Sequence, residues 1–148
     1  IARKGEYTIK RIVKSGLVYE KKTKIDSIKG CINFKKKCEI SKKKLRNKIL
    51  SIKKQNKSIA GYAATSKSTT ILNYCGINNK HIDYICDTTK DKIGKFTPKT
   101  HIPIVDMKHF QKNIPDYTFL FAWNHKQEIF KKEKKNLKKT KWIAHIDL

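Results

Sequence analysis

The chain has 148 residues and a formal net charge of +24 at pH 7. This length allows one ordinary domain with a single sizeable core and is too short for two. Its longest apolar runs are strand-sized, well short of the roughly 20 residues that cross a bilayer, so we expect a soluble, cytoplasmic protein without a transmembrane helix. Because the chain begins at Ile1 and resembles no signal peptide there, we expect it to start inside a longer protein.

The positive charge comes almost entirely from lysine. The arginines are Arg3, Arg11 and Arg46 only, although the planar guanidinium is the group that bidentate recognition of phosphates and bases favours. A basic nucleic-acid-binding domain therefore remains an alternative, and a solvated lysine surface is the favoured interpretation. The cysteines Cys31, Cys38, Cys75 and Cys86 lack the short spacing of structural zinc ligands, so we expect reduced thiols and no metal site.

The first part of the chain gives the weakest pattern. We predict an extended segment over residues 1–27, with extended character around Tyr7 to Ile9. Residues 28–56 are predicted to form an amphipathic basic helix, because Leu45, Ile49 and Ile52 recur at helical spacing and lysines cover the other face.

From residue 57 to 148 the pattern alternates between strands and helices. The predicted strands are SIAGYAA, HIDYICD, HIPIV, DYTFLFAW and KWIAHI. The helices predicted between them are TTILNYCG, MKHFQKN and HKQEIFKKEKKNL. Strands alternating with helices predict an α/β, Rossmann-like domain with a mostly parallel sheet and helices on both faces.

The loop TSKS joins the first of these strands to the first helix. Thr65, Ser66 and Ser68 are candidate N-caps, and Gly76 is expected to end the helix. Free N–H groups and the positive end of the helix dipole would suit an anion such as a phosphate, and Lys67 would add its charge. An ordinary capped turn is the alternative, and spacing alone favours it because neither G-x-G-x-x-G nor a P-loop is present.

Asp87 follows the second predicted strand and has two interpretations. An acid at this place binds ribose hydroxyls in nucleotide-binding folds. The first loop lacks the glycines of such a site, however, so a turn-forming role for Asp87 before TTKD is at least as well supported.

Three motifs in order carry a family resemblance: GYAATSKSTTILNYCGI, HIDYICDTTKDKIGKFTPKTHIPI and PDYTFLFAWNHKQEI. They resemble the carboxyl-terminal domain of the S-adenosylmethionine-dependent sugar C-methyltransferases, over roughly Lys57 to Ile146. The first family motif usually reads closer to GYGAPAKGNTLLNY. Here Ala63, Thr65, Ser66 and Ser68 replace glycine, proline, alanine and glycine, and the loss of two glycines narrows the backbone angles available to the loop.

The resemblance implies a three-part enzyme. A zinc-binding module and a central domain that holds S-adenosylmethionine would lie upstream, and this domain would close over a nucleotide-linked keto-sugar. The reaction would abstract a proton beside the keto group and then transfer a methyl group to that carbon. Because the base and the cofactor site would lie upstream, we expect this chain to be inactive by itself and to contain no catalytic residue. A stand-alone nucleotide-sugar-binding module without methylation is the alternative.

The predicted substrate site combines the loop with two later positions. Residues Thr65 to Ser68 are expected to bind phosphate. His101 would lie near the sugar-nucleotide cleft if the resemblance holds. Trp123 and Asn124 follow a predicted strand, where α/β proteins place ligands, and Asn124 can donate and accept hydrogen bonds. Packing of the sheet against a helix is the alternative role for Trp123.

Overall fold

The computed structural model describes residues 10–148, so the predicted extended stretch around Tyr7 to Ile9 lies outside the described residues. The helices are α1 (Arg11–Thr23), α2 (Ile28–Lys54), α3 (Ser66–Cys75), α4 (Met107–Lys112) and α5 (Lys126–Lys132). The strands are β1 (Ile59–Tyr62), β2 (Tyr84–Cys86), β3 (Ile104–Val105), β4 (Tyr117–Leu120) and β5 (Lys141–Ile143).

The strands form one five-stranded sheet in the order β3-β2-β1-β4-β5. Every neighbouring pair is parallel. All four residues of β1 are buried, as expected for a central parallel strand that is covered on both faces. This arrangement confirms the predicted Rossmann-like α/β class.

The two faces of the sheet bury separate apolar clusters. On one face, Ile59, Ile85 and Phe119 pack with α3 and with the second half of α2. On the other face, Ala60, Tyr62 and Leu120 pack with α4 and α5. The alternation of side chains along each strand therefore supplies a core to each layer of helices.

The chain divides into two compact units, Ile1–Ile40 and Ser41–Leu148. The division falls inside α2. The buried residues of this helix, Leu45, Ile49 and Ile52, belong to the same unit as the sheet. Among residues 10–148, no helix combines the length and the apolar character that a membrane span requires.

The prediction of extended structure over residues 1–27 is wrong for α1. Lysine, arginine, glutamate and leucine have good intrinsic helix propensity, and they outweigh the cost of Gly16 inside the helix. The helix ends where Lys24 adopts a left-handed conformation and its N–H bonds back to the last turn. None of the residues of α1 is buried, and its large apolar side chains, Ile12, Val13, Leu17, Val18 and Tyr19, are exposed.

Candidate functional site

The strand order reverses beside β1. The chain passes from β1 to β2 and β3 on one side of the sheet and returns to β4 and β5 on the other. In open α/β sheets, ligands bind outside the carboxyl ends of the strands at this switch point. The segments that leave the two central strands here are residues 63–65 after β1 and residues 121–124 after β4.

The loop after β1 is held by its neighbours on β2. Ala63 adopts a left-handed conformation with φ of 73°, and its N–H donates to the carbonyl of Cys86 at 2.9 Å. The next N–H, of Ala64, donates to Asp87 Oδ2 at 2.7 Å. Lys92 Nζ donates to the carbonyl of Ala64 at 2.7 Å. The loop thus keeps a glycine-type conformation although alanine occupies the position.

Asp87 is engaged through both carboxylate oxygens. It is 7% exposed; Oδ2 accepts from Ala64, and Oδ1 accepts from the Thr89 N–H at 2.8 Å. Burial by itself would raise the pKa of Asp87. Hydrogen bonds from Thr89 and Ala64, with the charge of Lys92, outweigh burial and hold the pKa below its usual value. Of the two interpretations of Asp87, the structure favours the turn-forming one.

Helix α3 begins at this loop with a side-chain cap. Thr65 is the N-cap, and its hydroxyl oxygen accepts from the Ser68 N–H at 3.2 Å. The N–H groups of Ser66 and Lys67 lie in the first turn of α3, where no carbonyl of the helix is placed to accept from them. Within residues 10–148 no other acceptor is bonded to them. These two N–H groups, at the positive end of the helix dipole, are available to an anion.

Ser68 has a different role from its neighbours. It is 1% exposed, and its hydroxyl donates to the carbonyl of Thr65 at 2.6 Å. The hydroxyl that replaces the family glycine therefore reinforces the first turn of α3. The exposed residues of the predicted phosphate loop are Ser66 and Lys67.

Lys67 meets the segment that follows β4. Its Nζ donates to Asn124 Oδ1 at 2.8 Å and lies 5.8 Å from the centroid of the Trp123 ring. The structure therefore brings Lys67 together with Trp123 and Asn124 across the switch point, although Lys67 is far from these two neighbours in sequence. A cation, an amide and an aromatic surface are thereby placed beside the N-terminus of α3.

Trp123 is half-buried and has contacts on two sides. It packs against the core of the α4 and α5 face, and its ring meets His145 in an edge-on contact with centroids 6.3 Å apart. Burial lowers the pKa of His145, an effect that Asp147 opposes. Sequence reasoning did not single out His145, because its proximity to Trp123 depends on the pairing of β4 with β5.

His101 lies away from this group. Residues 94–97 run antiparallel to residues 102–104, with a bridge between Phe96 and Pro103. His101 belongs to the turn of this hairpin, where φ is 51°, on the amino-terminal side of β3. The structure thus does not bring His101 to the loop, Trp123 and Asn124.

A cavity of about 300 Å³ opens on the β2 and β3 side of the loop. Sequence reasoning missed the residues that line its outer wall, Lys95, Phe96 and Pro98. These residues lie in GKFTPKT, inside the second of the three motifs, and no apolar periodicity marks them in the sequence. On the opposite wall lie Thr65, Ser66 and Thr69 of the loop and α3.

The four cysteines of the chain lie among residues 10–148 and differ in exposure. Within residues 10–148 no disulfide joins Cys31, Cys38, Cys75 or Cys86, and the last two are buried. Burial raises the pKa of Cys86 to about 12, so its thiol stays protonated. In the part of the chain that the structure describes, no group of three His, Cys, Asp or Glu side chains is arranged to hold a metal ion.

Comparison with known proteins matches the sequence of this chain to one family. The family model described as the C-methyltransferase C-terminal domain matches residues 1–146. The chain is also similar to the C-methyltransferase NovU of Streptomyces niveus, with 36% identity over 93 residues. That alignment covers 63% of this chain and 22% of the relative, so the chain spans a small part of the relative's length. The resemblance seen in the motifs is confirmed: this chain belongs to the family of C-methyltransferase C-terminal domains.

Proposed function

We propose that this chain binds the substrate for an S-adenosylmethionine-dependent C-methyltransferase that acts on a nucleotide-linked keto-sugar. The catalytic base, the cofactor site and a zinc-binding module would lie in an upstream part of the protein. Family membership supports the methyltransferase assignment. The nucleotide sugar is supported by the chemistry at the switch point.

The observation that carries the proposal is the hydrogen bond from Lys67 Nζ to Asn124 Oδ1. The Lys67 ammonium group and the two free N–H groups belong to the first turn of α3, and this combination favours a phosphate. Asn124 and Trp123 add an amide and a ring face, which are the groups that bind sugar hydroxyls and the apolar face of a sugar or a base. The three together match a ligand in which a phosphate adjoins a sugar.

The residues of this domain do not fit S-adenosylmethionine. A cofactor site of the nucleotide type needs a glycine-rich loop and an acid that is free to bind ribose hydroxyls. Both oxygens of Asp87 are already engaged by Ala64 and Thr89, and the loop has alanine at its left-handed position. We therefore assign cofactor binding, and with it methyl transfer, to the upstream part.

Calorimetric titration of the 148-residue chain tests the proposal. The probes are thymidine diphosphate, its sugar conjugate, S-adenosylmethionine and a short DNA duplex, each at two salt concentrations. We expect saturable binding of the diphosphate and its conjugate, and no response to S-adenosylmethionine. Binding of DNA alone, lost steeply as salt rises, would instead support the nucleic-acid alternative.

A pair of lysine variants separates the site from the general charge of the surface. Lys67→Ala should weaken diphosphate binding about tenfold, the effect of one lost charge-assisted hydrogen bond. Lys112→Ala removes the same charge from the exposed carboxyl-terminal residue of α4, in the connection that leads to the start of β4, and should leave the affinity unchanged. Equal affinities for the two variants would remove Lys67 from the site.

A further inference from the structure

The cavity beside the loop differs chemically from the Lys67 and Asn124 side of the switch point. Its outer wall carries Phe96, which is 61% exposed. A large aromatic side chain that remains open to solvent at the mouth of a cavity presents a flat apolar surface to a ligand. Pro98 continues this apolar surface.

The two lysines of the cavity are not equivalent. Lys92 Nζ is bonded to the carbonyl of Ala64 and lies 3.6 Å from Asp87 Oδ2, so its charge is compensated. Lys95 has no ion-pair partner in the described range 10–148. The cavity therefore combines a flat ring, an uncompensated cation and the hydroxyl-bearing N-terminus of α3.

The size of the cavity restricts which part of a ligand it holds. A volume of about 300 Å³ is at the lower limit of the range for small-molecule pockets. It suits a planar ring with an attached pentose rather than a complete nucleotide sugar. A ligand with its phosphate at the α3 N-terminus would then have one end in this cavity and the other end beside Trp123 and Asn124, because the two places flank β1 on opposite sides.

We propose that this cavity binds the nucleoside end of the ligand, with the base stacked on Phe96 and Lys95 beside the phosphate. The glycosyl end then lies against Trp123 and Asn124, where hydroxyl groups meet the amide. This inference rests on the proposed nucleotide-sugar function. It assigns Phe96 as a specificity-determining residue for the nucleoside and Lys95 as a contact of the phosphate, and it fixes the direction in which the ligand crosses the loop.

The test compares two probes that share the phosphates and differ in the base. Thymidine diphosphate and inorganic pyrophosphate are titrated into the chain and into the variant Phe96→Ala. Loss of one stacked base weakens binding by roughly tenfold in such sites. We expect Phe96→Ala to lower the affinity for thymidine diphosphate by this factor and to leave pyrophosphate unchanged, while Phe96→Tyr, which keeps the ring, retains the affinity.

A matched control excludes a general effect of losing an aromatic side chain. Phe34 is 70% exposed and lies in α2, in the other unit, so Phe34→Ala should leave the affinities for both probes unchanged. Unchanged diphosphate affinity in Phe96→Ala, or an equal loss for both probes, overturns the nucleoside assignment and leaves the phosphate site intact. If the unmodified chain binds neither probe, the proposed function fails and this inference fails with it.

Discussion

The carboxylate of Asp87 and the main-chain N–H of Ala64 are joined by a hydrogen bond of 2.7 Å. This bond connects the end of β2 to the loop that leaves β1, and it holds the loop in the conformation from which α3 starts. The acid therefore contributes to the site by shaping it. Since the neighbouring Ala63 occupies a left-handed conformation, the bond also helps to maintain a backbone geometry that alanine disfavours.

Replacing Asp87 by Asn should destabilise the domain in a pH-dependent manner. The side-chain amide of asparagine would place an NH₂ donor opposite one of the two N–H groups, of Ala64 or Thr89, that need an acceptor. We therefore expect the free energy of unfolding to fall by about 1–3 kcal/mol at pH 7. The folded-state pKa of Asp87 is lowered. Its stabilising contribution is therefore complete above the ordinary aspartate value of about 3.9 and disappears as pH falls through the folded-state pKa.

Urea unfolding of both proteins between pH 7 and pH 3 measures this difference. The gap in the free energy of unfolding should shrink as the pH falls. Asp91→Asn is the matched control, because Asp91 is exposed and lies four positions along the same connection; its effect should stay within about 0.5 kcal/mol. A gap of constant size across this pH range would contradict the linkage.

Replacing Ala63 by Gly should stabilise the domain. A left-handed conformation costs an L-residue roughly 1–2 kcal/mol, and glycine avoids this cost. Glycine also gives the unfolded chain more conformational entropy, which offsets part of the gain. We expect a net gain of about 0.5–1 kcal/mol in the free energy of unfolding. Ala64→Gly, at the next position where φ is not positive, should destabilise instead. Thermal unfolding of the pair checks the sign, and a loss of stability in Ala63→Gly would show that the loop changes conformation in the variant.

The elements around the loop were predictable because local chemistry determines them. Thr65 is one of the three predicted N-caps and Gly76 ends α3 as expected, with φ of 62°. Lys67 and Asn124 were both predicted as site residues because each follows a central strand, and the carboxyl ends of parallel strands share one edge. The sequence did not predict that these two side chains are joined by a direct hydrogen bond.

The remaining features depend on contacts that a linear pattern does not encode. The segment HIPIV predicted a strand, but the antiparallel return of residues 94–97 determines that His101 falls in a turn. Phe96 is an isolated exposed aromatic, so neither burial nor periodicity identified it. The conformation of Ala63 depends on its own N–H bond to the carbonyl of Cys86 and on the bond from the next N–H, of Ala64, to Asp87, which is 23 positions later in the chain.

Replacing Tyr62 by Phe should destabilise the domain, because it removes a hydrogen-bond donor from the buried carboxylate of Glu133. Glu133 is 3% exposed; its oxygens accept from the Tyr62 hydroxyl at 3.0 Å and from Asn136 Nδ2 at 2.8 Å. Burial, followed by the charge of Glu133, raises the pKa of Tyr62, so the hydroxyl remains a donor. Removing it leaves one buried oxygen without this donor and should cost about 1–3 kcal/mol. In urea unfolding, the exposed Tyr19→Phe should show no change, and equal stabilities for the two variants would contradict the role of the Tyr62 hydroxyl.

Replacing Gly61 by Ala should destabilise the centre of the sheet by steric conflict. A Cβ at this position would lie 2.7 Å from the Phe121 ring and 2.8 Å from Ile85 Cγ1. Both neighbours are fully buried, so neither can move without disturbing the core, and overpacking of this kind costs about 1–3 kcal/mol. Gly16→Ala is the control, because no atom lies within 4 Å of its added Cβ and alanine favours the helix. Thermal unfolding should therefore show a lower midpoint for Gly61→Ala and no decrease in the midpoint for Gly16→Ala. An unchanged midpoint for Gly61→Ala would mean that β1 and its neighbours can separate to admit a methyl group.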